Sequence, residues 1–142
     1  MTRGVTFKLK GDKALERKLK KYVKSAPKVI DALLAKAAFH THNVAVTSIQ
    51  NSPATGEVYT RGNITHRASA PGEAPATDTG QLVQNITVKK EDIMHYTVGS
   101  RKDAPHGFWL EFGTSRMDAR PWLTPAYQQG KKKLNEDIAR LR

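Results

Sequence analysis

The sequence predicts an α+β fold in which a small antiparallel sheet of three to four strands packs against a long kinked N-terminal helix and a C-terminal helix. Two segments, residues 13–50 and 124–141, repeat apolar side chains every three or four positions, which is typical of helices. Short segments at residues 5–10, 86–90 and 95–100 alternate apolar and polar residues, as half-buried strands do. Between the helices, residues 52–78 predict a long extended loop.

The length of 142 residues predicts one domain, residues 1–142, with residues 52–78 as an arm within it. No apolar run approaches the roughly 20 residues that cross a bilayer, so we expect no membrane partner. The chain has no cysteine, which excludes a disulfide scaffold, a thiolate zinc site and a cysteine nucleophile.

Positive charge is concentrated at the two ends of the chain. The 24 Lys and Arg exceed the 13 Asp and Glu and give a net charge of +11. Counting each segment assigns +8 to residues 1–36 and +3 to residues 128–142, so the middle is close to neutral. This distribution indicates either a solvated helix face or loose contact with phosphates. The residues that would face DNA are Lys13, Arg17, Lys20, Lys21 and Lys24.

The first helix is predicted to follow Gly11, with Asp12 as its N-cap. Its apolar stripe in the first half is Leu15, Leu19, Tyr22, Val23 and Ala26. Pro27 predicts a kink or a short break, because proline lacks an N–H and clashes with the preceding turn. The almost uncharged second half, which ends at Asn51, is expected to be covered over more of its circumference.

The segment 52–78 holds three prolines, three glycines and few large apolar residues, a composition that is usually functional or disordered. Residues 58–67 predict a weak hairpin around Gly62-Asn63. An isolated two-stranded hairpin is marginal in water. We therefore expect this hairpin to be mobile or to be held by a partner.

The second half of the chain predicts a short helix, a hairpin, a second short helix and the terminal helix. Asp78 or Thr79 caps the first of these, and Glu91-Asp92 joins strands 86–90 and 95–100. Phe108, Trp109, Leu110 and Phe112 then form a short helix or turn that buries aromatics and stops at Gly113. The terminal helix begins with Thr124 as N-cap and Pro125 in the first turn, and its stripe is Ala126, Leu134, Ile138 and Leu141.

No constellation of catalytic or metal-binding residues emerges from the sequence. The five histidines lie at spacings that do not form a ligand pair, and no nucleophile or phosphate-loop motif occurs. Glu111, which is flanked by aromatics, is the most interesting acid. We interpret it as the partner of a structural salt bridge to Arg116 or Arg120, with a catalytic carboxylate assisted by His106 as the alternative. We expect no enzyme activity, no cofactor and no metal.

Two stretches resemble the head–tail joining or tail-completion proteins of long-tailed bacteriophages, the group related to minor tail protein Z of lambdoid phages. The first is R-A-S-A-P-G-E-A-P-A-T-D-T-G-Q-L at residues 67–82. The second is W-L-E-F-G-T-S-R-M-D-A-R-P-W-L-T-P-A at residues 109–126. The order of the predicted elements matches as well.

This resemblance implies a non-enzymatic virion protein of the neck or tail end, assembled in the host cytoplasm. It implies a homo-oligomeric ring, hexameric in such proteins, that contacts neck, connector or tail-terminator proteins and lets DNA pass non-specifically. The alternative is a free basic nucleic-acid-binding protein. The motif residues assigned to a subunit interface are Arg67, Pro71, Gly72, Glu73, Pro75, Glu111, Phe112, Gly113, Thr114, Arg116, Arg120 and Pro121.

Overall fold

The computed structural model describes residues 13–141, so the strand expected at residues 5–10 and the Asp12 cap lie outside the described part. The chain is α+β, as the sequence predicts. Its elements in order are α1 (Lys13–Gln50), β1 (Val58–Arg61), β2 (Ile64–Arg67), α2 (Gln81–Asn85), β3 (Ile86–Asp92), β4 (His95–Ser100), α3 (His106–Phe112) and α4 (Leu123–Ala139).

The four described strands form two separate antiparallel hairpins, so the expected single sheet of three to four strands is not confirmed. In the first hairpin, Val58 pairs with Arg67 and Arg61 pairs with Ile64. Gly62 makes the turn at φ 60°, as the Gly62-Asn63 prediction requires. All but one of the side chains of β1 and β2 are exposed. Because this hairpin has no buried apolar face, it lacks the surface that would pack it beside the second hairpin.

In the second hairpin, β3 and β4 pair from Ile86–Ser100 to Lys90–Tyr96, with a register shift before Asp92. The turn lies at Ile93-Met94, two residues later than the sequence predicts, and Met94 has φ 57°. Ile86 is buried and Thr87 and Val88 are half-buried, whereas residues 89–92 are exposed. Only the base of this hairpin therefore belongs to the core.

Helix α1 continues through Pro27 for 38 residues, so the structure shows no break there. A proline at this position removes the hydrogen bond to the carbonyl of Val23. Val23 is 71% exposed, so water can bind the released carbonyl. The helix tolerates Pro27 because this part of it lies in solvent.

Helix α4 packs antiparallel to the second half of α1. Gly130 is buried where the two helices meet, and a Cβ at that position would clash with Thr41 Oγ1 and lie 3.2 Å from the carbonyl of Ala37. Further along, the buried Asp137 accepts from Lys36 at 2.9 Å and from Lys133 at 3.2 Å. These hydrogen bonds lower the pKa of Asp137 below its usual value. The stripe predicted for α4 is therefore right in its first half, where Ala126 is buried and Leu134 half-buried, and wrong in its second half, where Ile138 and Leu141 are exposed.

The hydrophobic core is small and rich in alanine. Among the residues whose burial the structure describes, nine hydrophobic residues are buried: five are alanines, and the larger ones are Ile49, Leu82, Ile86 and Trp122. Ala45, Ile49, Ile86 and Trp122 join α1, β3 and the start of α4 in one cluster. The second half of α1 is covered, as predicted.

Asp31 fastens the tip of the β3–β4 hairpin to α1. Its carboxylate accepts from Lys90 Nζ at 2.6 Å, from the backbone N of Met94 at 2.8 Å and from the Tyr96 hydroxyl at 3.2 Å. These hydrogen bonds, with that from Lys90 the largest, lower the pKa of the Asp31 carboxyl. The 18 residues of α1 that precede Asp31 correspond to about 27 Å of helix. In this part, Tyr22 is 74% and Val23 71% exposed.

Candidate functional site

Glu111 is a structural residue, but it does not form the predicted salt bridge to Arg116 or Arg120. Its carboxylate accepts from the backbone N–H groups of Trp122 and Leu123 at 2.8 Å and of Thr124 at 2.9 Å, and also from the Thr124 hydroxyl. These are the amides at the start of α4 that have no partner within the helix. Glu111 therefore caps α4 from a distant position, and Trp122, not Thr124, is the N-cap residue.

The hydrogen bonds to Glu111 determine its ionisation. Burial alone would raise the pKa of this carboxyl, but the bonds from Thr124 and the three backbone amides outweigh burial and lower the pKa. The carboxylate is thus charged and fully engaged at neutral pH. His106, which the alternative prediction paired with Glu111, lies five positions earlier on α3. None of the described hydrogen bonds joins the two residues. The geometry favours the structural role.

Gly113 makes the turn after α3 and places the next segment against it. Its φ is 76°, and a Cβ there would lie 2.8 Å from the Met117 carbonyl oxygen and 2.9 Å from the Ala119 nitrogen. Thr114 and Met117 close the turn with backbone hydrogen bonds, and the Arg120 N–H donates to the Leu110 carbonyl at 2.6 Å. The E-F-G-T and A-R-P segments are therefore two sides of one compact turn.

This turn is joined to the small-residue loop of the first motif stretch. The Gly72 N–H donates to the Ala119 carbonyl at 3.0 Å, and Arg120 Nε donates to the Ser69 carbonyl at 2.9 Å. Ser69 is only 2% exposed. Both motif stretches thus form one continuous unit, residues 67–75 with 109–121, which we call the motif platform.

Glu73 organises the loop side of the motif platform. It accepts from the Thr55 hydroxyl at 2.5 Å, the Thr55 N–H at 3.2 Å and the Ala70 N–H at 2.9 Å. These bonds, the Thr55 hydroxyl first, lower the pKa of Glu73. Ser52 adds a hydrogen bond to the Ala74 carbonyl at 2.6 Å. The loop is therefore closed on itself by side chains rather than by a sheet.

The residues predicted to form a subunit interface divide into buried and surface groups. Pro75 and Glu111 are buried, and Glu73, Gly113, Arg120 and Pro121 are half-buried. Exposed on the motif platform are Arg67, Pro71, Gly72, Phe112, Thr114 and Arg116. The first group shapes the platform, and the second group is available for contact.

Helix α3 exposes its aromatic side chains, so the prediction that it buries them is wrong. Phe108 is 64%, Trp109 51% and Phe112 67% exposed, and the ring centroids of Phe108 and Phe112 lie 4.9 Å apart with the ring planes tilted by 52°. The inward face instead consists of Gly107 and Glu111. Trp122 supplies the buried aromatic, and its Nε1 donates to the Gly107 carbonyl at 2.9 Å. In the sequence, Gly107 and Glu111 are four residues apart and therefore lie on the same face of a helix. This spacing is the signal that indicates the buried face.

A groove of about 610 Å³ lies beside this aromatic face. Trp109 and Met117 line it on the platform side, Leu82 lies on α2, and Tyr59 and His66 come from the first hairpin. Tyr59 and Arg61 both contact Asp78, which ties the hairpin to the chain that enters α2. The exposed aromatics and this groove form one continuous surface.

The basic residues predicted to face DNA lie on α1, apart from the motif platform. Arg17, Lys20, Lys21 and Lys24 are exposed, and Lys13 is the first residue of the helix. Within residues 13–141, no cluster of His, Asp and Glu is arranged to hold a metal ion. The helices of that part also include none that is long and apolar enough to span a membrane.

A family model described as "Bacteriophage HK97-gp10, putative tail-component" matches residues 13–113, well over half of the chain. The match includes α1, both hairpins and α3 up to the Gly113 turn. Neither the curated proteins nor the solved structures contain a significant match to the sequence.

Proposed function

Because the chain belongs to the HK97-gp10-like family of bacteriophage tail components, we propose that it is a structural virion protein of the phage neck or tail end. In this role it forms a homo-oligomeric ring that joins or completes the head–tail connection and lets DNA pass. Its partners are further copies of itself and the neighbouring neck, connector or tail-terminator proteins.

The observation that supports an assembly role best is the exposed aromatic face of α3. Phe108, Trp109 and Phe112 are each more than half exposed, whereas the buried hydrophobic residues of the described part are mostly alanine. Large aromatic side chains contribute most to interface energies, and a contiguous exposed apolar patch marks an interaction site. A short helix that exposes three large aromatic side chains is suited to bury them against another protein.

The motif platform explains why these residues are held in place. Glu111, Gly113 and Arg120 fix α3 and the small-residue loop relative to α4 through backbone contacts. The platform therefore presents Phe112, Arg116 and the loop at Pro71 as one preorganised surface. Rigid presentation lowers the ordering cost of association. We assign the platform to contact with a neighbouring virion subunit.

The test is whether intact virions contain the chain at the neck or tail end. Antibody labelling and electron microscopy of virions is the direct experiment. Particles assembled with Phe108→Ser/Phe112→Ser protein should lack it at that position, although the isolated variant stays folded because both rings are exposed. Phe39→Ser removes an equally exposed phenylalanine from α1 and is the matched control. Virions that lack the wild-type chain would contradict the proposal.

The basic face of α1 favours a second candidate, free nucleic-acid binding. Electrostatic binding of this kind is independent of base sequence, and its logarithmic salt dependence has a slope of about −0.9 per neutralised phosphate. Replacing Arg17, Lys21 and Lys24 by glutamine should therefore reduce the slope by up to about 3. Tight DNA binding by the free chain, together with its absence from virions, would favour this function over a structural one.

A further inference from the structure

The outer edge of β4 has no neighbouring strand within residues 13–141. β3 and β4 form a two-stranded sheet, so each of them leaves one edge unpaired in that part of the chain. None of the described backbone hydrogen bonds joins residues 95–100 to a segment outside this hairpin. Such a row of N–H and C=O groups is a template for a further strand, and proteins usually protect it with charged residues or a bulge.

The two strands of the hairpin differ in this protection. β3 ends in four charged residues and has a register shift between Lys90 and Asp92. β4 reads H-Y-T-V-G-S, which includes no Lys, Arg, Asp or Glu. Of the two edges, that of β4 is therefore the one open to pairing.

The open edge borders a groove of about 550 Å³ between β4 and α4. Helix α4 already covers the α1 surface below this groove, where Gly130 meets Thr41. The accessible part is therefore the strip between the strand and α4, where Tyr96 and Val98 are half-buried and Tyr127 is exposed. Half-buried apolar side chains beside an open edge suit the inner face of one more strand.

The sequence supplies a strand of the same length as β4. Residues 5–10, which precede the described part of the chain, alternate apolar Val5, Phe7 and Leu9 with polar residues. A single strand leaves its backbone groups without partners, so a segment with this pattern needs a sheet edge. The question is whose edge it can reach.

The β4 strand lies beside the second half of α1. Asp31 accepts a hydrogen bond from the backbone N of Met94 at the hairpin tip. At the hairpin base, His42 Nε2 lies 3.2 Å from the carbonyl oxygen of Ile86, which pairs with Ser100. β4 therefore runs alongside α1 between the levels of Asp31 and His42.

Residues 5–10 cannot reach β4 of their own molecule. Helix α1 begins at Lys13, about 27 Å before Asp31. The three residues back to Lys10 span at most about 11 Å, and the eight back to Val5 at most about 29 Å. Even when fully stretched along α1, only Val5 would come level with the hairpin tip. Pairing along the whole of β4 is therefore possible only between two molecules.

We propose that residues 5–10 of one copy pair as a third strand with the β4 edge of the next copy around the ring. Val5, Phe7 and Leu9 then face the strip between β4 and α4, and Lys8 and Lys10 face the solvent. This inference rests on the proposed homo-oligomeric ring and names the contact that links successive copies.

The exchange fits a ring because donor and acceptor are different surfaces. Each copy gives its strand to one neighbour and receives a strand from the other, which is a head-to-tail contact that closes when the rotation closes. The first half of α1 carries the donated strand about 27 Å from the hairpin of its own molecule. The motif platform takes no part and stays available to another virion protein.

Disulfide trapping tests the pairing. The chain has no cysteine, so Lys8→Cys and Thr97→Cys each introduce a single thiol. In a centred register, residue 8 lies opposite residue 97 whether the added strand is parallel or antiparallel to β4. Mixing the two proteins under mild oxidation should therefore give a cross-linked heterodimer.

Lys89→Cys is the matched control for the acceptor. Lys89 is exposed and pairs directly with Thr97, but it lies on β3. A strand on the outer edge of β4 is two strand spacings, about 9–10 Å, from β3, beyond the roughly 7 Å between Cα atoms that a disulfide can bridge. Lys8→Cys mixed with Lys89→Cys should therefore give no specific product. Equal cross-linking in both mixtures, or none at the highest soluble concentration, would overturn the proposal.

The double variant Lys8→Cys/Thr97→Cys separates exchange between copies from pairing within one copy. Exchange should give a ladder of cross-linked multimers on a non-reducing gel. An oxidised monomer as the main product would show that the strand returns to its own molecule, contrary to the proposal.

Sedimentation of the full chain measures the strength of the contact. Phe7→Asp/Leu9→Asp should weaken association at least about a hundredfold, because it places charges on the apolar face of the strand. Lys8→Gln/Lys10→Gln makes the same change of two charge units on the opposite face and should associate like the wild type. Association of the Phe7→Asp/Leu9→Asp protein at wild-type strength would contradict strand exchange. Whether virions contain the chain is measured separately, so the proposed function can hold although the exchange fails.

Discussion

Glu111 Oε2 lies 2.8 Å from the backbone nitrogen of Leu123, the first residue of α4. One short helix thus supplies the cap of the next across a turn of ten residues, through a carboxylate that is only 7% exposed. The contact explains why an acid stands among three exposed aromatics. It also makes the orientation of those aromatics depend on the first residues of α4.

Replacing Glu111 by glutamine should destabilise the protein by about 2–4 kcal/mol. The amide has one acceptor oxygen in place of two and turns an NH₂ group toward the N–H donors of α4. Urea unfolding measures the effect. Glu136→Gln changes an exposed acid of α4 and should stay within about 0.5 kcal/mol of the wild type. Equal stability of the two variants would exclude the capping role.

Stability should fall in acid, and Glu111 should account for part of the loss. Its folded-state pKa is lowered, so its contribution is complete above the unfolded-state pKa and disappears as the pH falls through the folded-state pKa. Asp31 and Asp137 have lowered pKa values and act in the same direction. Unfolding free energies measured from about pH 7 down to about pH 3 should decline less for Glu111→Gln than for the wild type. Parallel curves would contradict this assignment.

Gly130→Ala should destabilise the protein by about 1–3 kcal/mol although alanine favours helix formation. The added methyl group meets Thr41 Oγ1 and forces α1 and α4 apart. Gly99→Ala is the control, because a Cβ at Gly99 has no neighbour within 4 Å. Thermal unfolding of both variants decides the matter, and a stabilised Gly130→Ala protein would show that the helices are not in close contact there.

Trypsin should cut the free protein first at the β1–β2 hairpin, after Arg61 or Arg67. Both residues are exposed, and the hairpin side chains make little contact with the core. Cleavage after Lys21 or Lys24 requires local unfolding of α1 and should be slower. Mass spectrometry of the early fragments identifies the sites, and Arg61→Gln should abolish the first of them. Rapid cleavage within α1 would show that the part of the helix before Asp31 is frayed.

Local patterns predicted the elements well and their partners poorly. The alternation of β3 and β4 and the Gly62-Asn63 turn depend on neighbours along the chain, and both hairpins were confirmed. Whether two hairpins share a sheet depends on apolar faces distant in sequence, and β1 and β2 have none. The sheet predicted from strand signals joined β3 and β4 to residues 5–10, which lie outside the described residues, so its third strand stays a prediction.

The same limit applied to the candidate site. The two motif stretches were found by resemblance, but their contact through Arg120 and Ser69 joins residues 51 positions apart. Hydrophobicity placed Phe108 and Phe112 inside, because a sequence does not show that Trp122 already fills the adjacent space. The exposure of the first half of α1 was not predicted, for a similar reason. Its apolar stripe predicts burial, but α4 is too short to cover it.

The alanine-rich core makes the stability of this protein sensitive to whether it is bound to a partner. Five of the nine buried hydrophobic residues in the described part of the chain are alanines, and such small side chains contribute little transfer free energy to folding. Association stabilises the folded form by mass action and raises its melting temperature with concentration. In the proposed assembly, a copy without its neighbours would therefore be the form that unfolds and is degraded most readily.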